Sequence, residues 1–343
     1  MLTMDVFKQD AFSAISMSAA VDKVDYVPHM LDGMPGLFVP DPVRTTGIMI
    51  EERSTGAVIL PFSPRGTAPH QTGGDKRKIR SFETLRFSDA SRITASELMG
   101  IRAFGSATEL MQLQGETVRR QGKIKQNFAL TREYHKLNLV TQGKVLDADG
   151  SVMYDWASEF GQAIPAEIDF DLDNANPAQG ALRKKCNEVV RTVTKNLKGV
   201  GVAQRIIGLA GDGFWDDLVT HPELEKTYAN WQAAEAMRNE LVQPWSAPLR
   251  FGNIDWINYR GTDDGTSVAV GADKVKFFPY GAGIFRWGMS PGESFAHIGT
   301  LGQDTYSNIV TDKDRDQWAD IEVYSYPLPV CTMPSALHRG RRT

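Results

Sequence analysis

The sequence predicts an α+β chain in which extended segments lead into one long helix and then a compact region where helices and strands alternate. Three observations predict it. Pro28, Pro35, Pro40 and Pro42 punctuate the N-terminal part, no proline occurs between His70 and Ile164, and helical and strand patterns alternate from Ala181 to Phe278. At 343 residues the chain exceeds one ordinary core, so two connected domains are expected.

Residues 1 to about 45 start weakly amphipathic, with Val6, Phe7, Phe12 and Ile15. The prolines then bias Tyr26 to Arg44 toward extended structure, because each restricts the residue before it. Such an arm cannot bury Leu37, Phe38 and Val39 by itself, so these are expected on a neighbour.

Two apolar-rich runs follow, Gly47 to Arg53 and Ala57 to Phe62, separated by Ser54-Thr55-Gly56, a hairpin pattern. Beyond them lie Pro64, Arg65, Gly66, Pro69, Gly73 and Gly74, then the basic cluster Lys76, Arg77, Lys78 and Arg80. The simplest picture is a long two-stranded excursion with a mobile basic tip, which needs an outside surface because an isolated hairpin is marginal in water. An ordinary surface hairpin is the alternative.

From about Ser106 to Leu139 the pattern is helical. Leu110, Leu113, Thr117, Ile124, Phe128 and His135 recur near one face, and Arg119, Arg120, Lys123, Lys125 and Arg132 form a basic ridge on the other. Asp149-Gly150 then turns a short hairpin, about 144 to 156. Asn174 to Pro177 reads as a junction, Ala181 to Lys198 as a helix stopped by Gly199, and Arg205 to Ala210 as a buried strand. A helix at Phe214 to Thr220, another around Ala229 to Glu240, and strands at 249–260 and 268–278 complete this region. Gln317 to Met333 has strand composition and must pair elsewhere.

A net charge of −4 gives no global attraction to nucleic acid. The distribution is uneven: Asp41 to Lys144 holds 17 basic and 10 acidic residues, while Val145 to Gly180 holds 8 acidic residues and no basic one. Two solvated faces, or attraction between copies, would each account for this. Cys186 and Cys331 form no CxxC pair, which fits a reducing compartment rather than a disulfide or zinc framework. The N-terminus lacks the basic start and apolar run of a signal peptide, and no stretch approaches the ~20 apolar residues of a membrane span.

Chemistry finds little foothold. Gly208 to Gly213, GLAGDG, follows a strand but is neither GxGxxG nor GxxxxGK[ST], and reads as a tight strand-to-helix turn. Asp147 to Gly150 begins like a calcium loop, yet Ser158 stands where the bidentate Glu belongs. The six histidines are scattered without ligand spacing, no GxSxG occurs, and Cys186 sits on an apolar helical stripe. The aromatic segment Phe277 to Phe295 has too few interleaved cations for a base-stacking platform and suits a subunit contact. No catalytic, metal or cofactor site is expected.

The order of elements resembles the HK97-type capsid fold, and more narrowly the lambda-type major capsid protein E family of tailed bacteriophages. The resemblance rests on SELMGIRAFG (Ser96–Gly105), LTREY (Leu130–Tyr134), GKVLDADG (Gly143–Gly150), VKFFP (Val275–Pro279) and EVYSYP (Glu322–Pro327), spanning about Gly47 to Pro329. It implies an N-arm at 1–45, an E-loop at 46–93, a P-domain at 94–171 with its spine helix, an A-domain at 172–304, and a return to the P-domain at 305–343. It implies a shell of hexamers and pentamers enclosing double-stranded DNA, assembled in the host cytoplasm and carried in the virion. Portal and head-completion proteins, and scaffold or decoration proteins where the particle uses them, are the implied partners; no membrane is. Subunit contacts are expected at Arg65, Lys76, Arg77, Lys78, Arg80, Arg119, Arg120, Lys123, Phe285 and Trp287. A cellular nanocompartment shell of the same fold and a nucleotide-binding α/β enzyme are the competing readings.

Overall fold

The computed structural model describes residues 30–54, 76–100, 109–174, 176–229, 248–262, 268–315 and 317–343. Its axis is one helix, Glu109–Gln142, 34 residues long. Thr117, Ile124 and Phe128 of the anticipated stripe are buried, and the helix runs three residues past the expected end. Gly143 stops it: its φ of 64° places it in the left-handed region, and its N–H reaches back to the Leu139 carbonyl at 2.9 Å.

Before the helix come β1 (Phe38–Pro42), β2 (Gly47–Ser54), β3 (Lys76–Glu83) and β4 (Phe87–Thr94). After it, β5 (Lys144–Leu146) and β6 (Val152–Asp155) form the short hairpin, closed by Asp147 N–H to the Ser151 carbonyl at 2.9 Å and by Gly150 at φ 83°. Asp155 then caps a one-turn helix, Trp156–Glu159, by accepting from the N–H groups of Ala157 and Ser158.

The six-stranded sheet is built from β7 (Ile168–Asp169), β8 (Arg205–Ala210), β9 (Leu249–Phe251), β10 (Ile254–Asn258), β11 (Lys274–Tyr280) and β16 (His338–Arg341), in the order β7-β16-β11-β8-β10-β9. Helices Ala181–Asn196 and Asp212–Thr220 line its core, burying Leu182, Cys186, Val189, Phe214 and Leu218 against Trp256 and Phe277. A three-stranded sheet, β1-β12-β15, joins β12 (Phe285–Met289) and β15 (Pro327–Cys331) to the N-terminal segment. Another, β13-β14-β4, joins β13 (Tyr306–Thr311) and β14 (Trp318–Ser325) to β4 and packs Ile93 and Ile321 on Ile124 and Phe128 of the long helix.

Several expectations change. The first apolar run, β2, pairs with β3 over eight positions, from Gly47↔Glu83 to Ser54↔Lys76; its expected partner Ala57–Phe62 lies outside the described residues. The basic cluster is therefore a strand and not a tip. Cross-strand charge, such as Arg77 to Glu51 at 3.5 Å, lets a charged run pair where an apolar one was sought. The chain end also divides. β14 and β15 pack against the long helix, but β16 enters the six-stranded sheet, where buried His338 and Gly340 alternate with more exposed Arg339 and Arg341. The expected helix at Ala229–Glu240 falls outside the described residues except Ala229, which ends a helix begun at Pro222.

Candidate assembly surfaces

The arm is fastened to its own chain. Glu133, buried in the long helix, accepts from the N–H groups of Leu31 at 3.0 Å and Asp32 at 3.3 Å, and from the Tyr259 hydroxyl at 3.1 Å. One turn on, Lys136 pairs with the Asp32 carboxylate and lies 5.0 Å from the Phe38 ring and 4.9 Å from the Trp287 ring. Burial raises the Glu133 carboxyl above its ordinary range, while the bond from Leu31, the Tyr259 hydroxyl, the bond from Asp32 and the Lys136 charge oppose the rise. Of the three residues expected on a neighbour, Leu37 is buried within its own chain, Phe38 is half-buried there and Val39 is exposed; Leu31 is buried as well. Nothing in the sequence singled out Glu133, which stands between Arg132 and Tyr134 in the polar run before Leu137.

Phe285 and Trp287 are corrected in the same way. Both are buried, Phe285 tilted against Phe38 at 5.7 Å and Trp287 edge-on to it at 6.4 Å. They receive the arm and have no surface left for another subunit. The aromatic clustering was legible, but an aromatic strand looks the same whether its cover comes from its own chain or from another.

The β2–β3 hairpin has two different faces. At its root Ile48 and Phe82 are buried, Phe82 among Tyr154, Trp156 and Phe160, and Ile48 so close to Gly288 that a Cβ there would collide with it. Arg80 continues this face, 3.6 Å from Glu159. The opposite face shows Met49 at 74% and Ile79 at 65% exposure, flanked by exposed Glu51 and Arg77. Lys78 is exposed as well, Lys76 stands at the strand's start, and Arg65 lies outside the described residues. Period-two alternation could have revealed this face had the run been read as a strand.

The ridge on the long helix is partly closed. Arg120 binds Glu97 at 2.9 Å and the Arg92 carbonyl, and Arg132 binds Asp304 at 2.7 Å, whereas Arg119, Lys123 and Lys125 are exposed. Four of the eight acidic residues in 145–180 pair within the chain, two of them with the basic region: Asp155 with Lys144 at 3.2 Å and Glu159 with Arg80 at 3.6 Å, and two with the C-terminal half, Glu167 with Lys274 at 2.8 Å and Asp169 with Arg341 at 3.2 Å.

The GLAGDG turn offers no phosphate cradle. Phe214 N–H, at the helix start, donates to the Ala272 carbonyl at 2.8 Å, and Gly211 packs so tightly on Gly271 that any Cβ would strike its carbonyl. Among the described residues there is no metal-holding cluster of His, Cys, Asp or Glu, and no helix is long and apolar enough to cross a membrane. Cys186 and Cys331 are buried, and burial pushes both thiols up to about 12.

The model of a family described as phage major capsid protein E matches residues 13–342. The chain belongs to that family. A curated relative, the major capsid protein of Salmonella phage Felix O1, is 26% identical over 334 residues, covering 88% of this chain and 89% of that one. Solved shells agree in fold. The capsid protein of cyanophage P-SCSP1u superposes with a TM-score of 0.55 at 9% identity, covering 94% of this chain and 91% of that one. That of Myoviridae phage XM1 gives 0.52 at 12% identity, covering 94% and 95%. The fold is the HK97-type capsid fold, and this phage major capsid protein is a structural shell subunit, not an enzyme. The nucleotide-enzyme reading falls with this, and the nanocompartment reading is not favoured.

Proposed function

We propose that this capsid subunit assembles into hexamers and pentamers of an icosahedral shell around double-stranded DNA, with the β2–β3 hairpin as the element that reaches a neighbour. The carrying observation is the hairpin's divided character: a root locked by Ile48 and Phe82, and a far face with Met49 and Ile79 uncovered. Residues 46–93 would serve as the reaching E-loop and 1–45 as the N-arm. The long helix would be the spine of the P-domain (94–171), and 172–304 the A-domain. The contact residues would be Arg77, Lys78 and Arg80 on β3 with Lys76 at its start, and Arg119, Arg120 and Lys123 on the helix; Arg65, outside the described residues, is proposed with them from the sequence alone. Assembly would take place in the host cytoplasm, with portal and head-completion proteins joining the shell, and scaffold or decoration proteins where the particle uses them. Contact with the packaged DNA would be non-specific and mediated by phosphates.

The test replaces residues 50–80 with a two-residue turn, keeping Ile48 and Phe82. The expected outcome is a soluble subunit with unchanged circular dichroism in its helical bands and no shells by electron microscopy. Shells of normal yield from this variant would overturn the role given to the hairpin.

A further inference from the structure

Successive residues of a strand point to opposite faces of its sheet. Val275 and Phe277 of β11 pack into the core under the helices Ala181–Asn196 and Asp212–Thr220, so Lys274 and Lys276 stand on the other face of the six-stranded sheet. β16 runs antiparallel beside β11 and sets Arg341 directly opposite Lys274 and Arg339 directly opposite Lys276. Four cations therefore share one face of two adjacent strands, with opposed Cβ atoms roughly 5 Å apart, an arrangement that destabilises a sheet unless an anion answers it.

Two carboxylates answer half of it. Glu167 pairs with Lys274 at 2.8 Å, and Asp169 of β7 pairs with Arg341 at 3.2 Å. The Lys276–Arg339 pair is left over. Lys276 is half-buried and makes no hydrogen bond or ion pair among the described residues. Burial, then the charge of Arg339, push its ammonium below the ordinary lysine range; Lys274 adds to this and Glu167 opposes it. Arg339 donates to the Pro165 carbonyl at 3.4 Å, and its Nε is buried without a partner. Other enclosed cations of the subunit face a carboxylate: Arg120 has Glu97, Arg132 has Asp304 and Lys136 has Asp32.

We propose that Lys276 and Arg339, flanked by Lys274 and Arg341, form a binding site for a phosphate group on the open face of the six-stranded sheet. Four cations against two carboxylates leave a surplus of two, which a phosphate dianion matches and a single carboxylate does not. An ammonium and a guanidinium side by side can each donate to a different oxygen of one phosphate, and charge-assisted bonds of this kind are the strong ones. The site opens to solvent, since the side chains of Lys274 and Arg341 are 41% and 49% exposed. Its occupant ties β16, only four residues long, to β11 at the point where their side chains repel. The proposal concerns the folded subunit and does not rest on the shell reading.

The test follows thermal unfolding of the unassembled full-length subunit in sodium phosphate against sodium chloride of equal ionic strength, so that general screening is matched. A parallel arm adds a short duplex DNA. The expected result is a midpoint that rises saturably with phosphate, as it does for any ligand that binds only the folded chain. Lys276→Met should abolish that rise while leaving the phosphate-free midpoint unchanged or higher, because it removes a repelling charge. If duplex DNA reproduces the Lys276-dependent rise, the phosphate is that of a nucleic-acid backbone; if inorganic phosphate alone does so, it is the free ion. Either outcome supports the site. Hydrogen exchange on the unaltered chain supplies a reading that needs no variant: the amides of β16 and β7 should slow by about threefold or more at saturating phosphate. A rise that survives Lys276→Met overturns the proposal, and so does a midpoint and exchange pattern that neither phosphate nor DNA moves beyond matched chloride.

Discussion

The six-stranded sheet and the β2–β3 hairpin satisfy their apolar residues in opposite ways. In the sheet, Trp256 stacks on Phe214, meets Phe170 and Phe277 edge-on, and gives its indole N–H to the Phe251 carbonyl at 3.0 Å. The cover is complete within one chain. In the hairpin the root is buried, Ile50 packs beside it, and Met49 and Ile79 face outward. The first region is built to fold and the second to be met, so the same kind of substitution should act on different observables in the two places.

The largest effect belongs to the sheet. Trp256→Ala removes a fully buried ring with a satisfied N–H and should cost about 3–5 kcal/mol, enough to erase much of a typical domain's stability. Urea unfolding of the unassembled subunit measures it. A loss under about 1 kcal/mol would mean that the aromatic core is not what holds this region.

Glu133 lies between these extremes, because it joins the arm to both the long helix and the sheet region. Glu133→Ala leaves the N–H groups of Leu31 and Asp32 and the Tyr259 hydroxyl without their acceptor, a cost of about 1–3 kcal/mol. The pH dependence has a definite sign. A carboxyl raised by burial contributes stability that is fully present below its unfolded value, near 4.5, and is lost as pH rises through its higher folded value. Acidification toward that window should therefore protect the amides of residues 31–38 against hydrogen exchange, after correction for intrinsic rates. Glu133→Gln should flatten the dependence. A Gln variant that keeps the slope would assign it to another group.

Much of this contrast was legible in the residues and some was not. Arg205–Ala210, the helix at Ala181, the Asp149-Gly150 turn and the long helix all carry local signals of period or turn chemistry, and the structure places them close to where those signals put them. β3 was missed because its pairing with β2 bridges 21 residues and its pattern is charged, so neither loop length nor hydrophobicity marked it. Phe285 and Trp287 were misassigned because burial has no local signature: Phe38, which covers them, lies some 250 residues away in sequence. The arm's anchoring by Glu133 was invisible for the same reason, since Leu31 and Tyr259 meet it from opposite directions along the chain.

The smallest effect on folding should carry the greatest weight for assembly. Ile79→Ser changes a side chain that touches little in the lone subunit, so its effect on unfolding should stay within about 0.5 kcal/mol. In a shell the same side chain would lose its burial against a neighbour, about 1.5–3 kcal/mol for an Ile by transfer energetics. Repeated once per subunit around a closed ring, that deficit should raise the concentration needed for assembly by tenfold or more. Light scattering against protein concentration reads the threshold directly. An unshifted threshold with unchanged stability would make Ile79 an ordinary exposed residue, and would move the comparison from the hairpin's outward face to its charged edge.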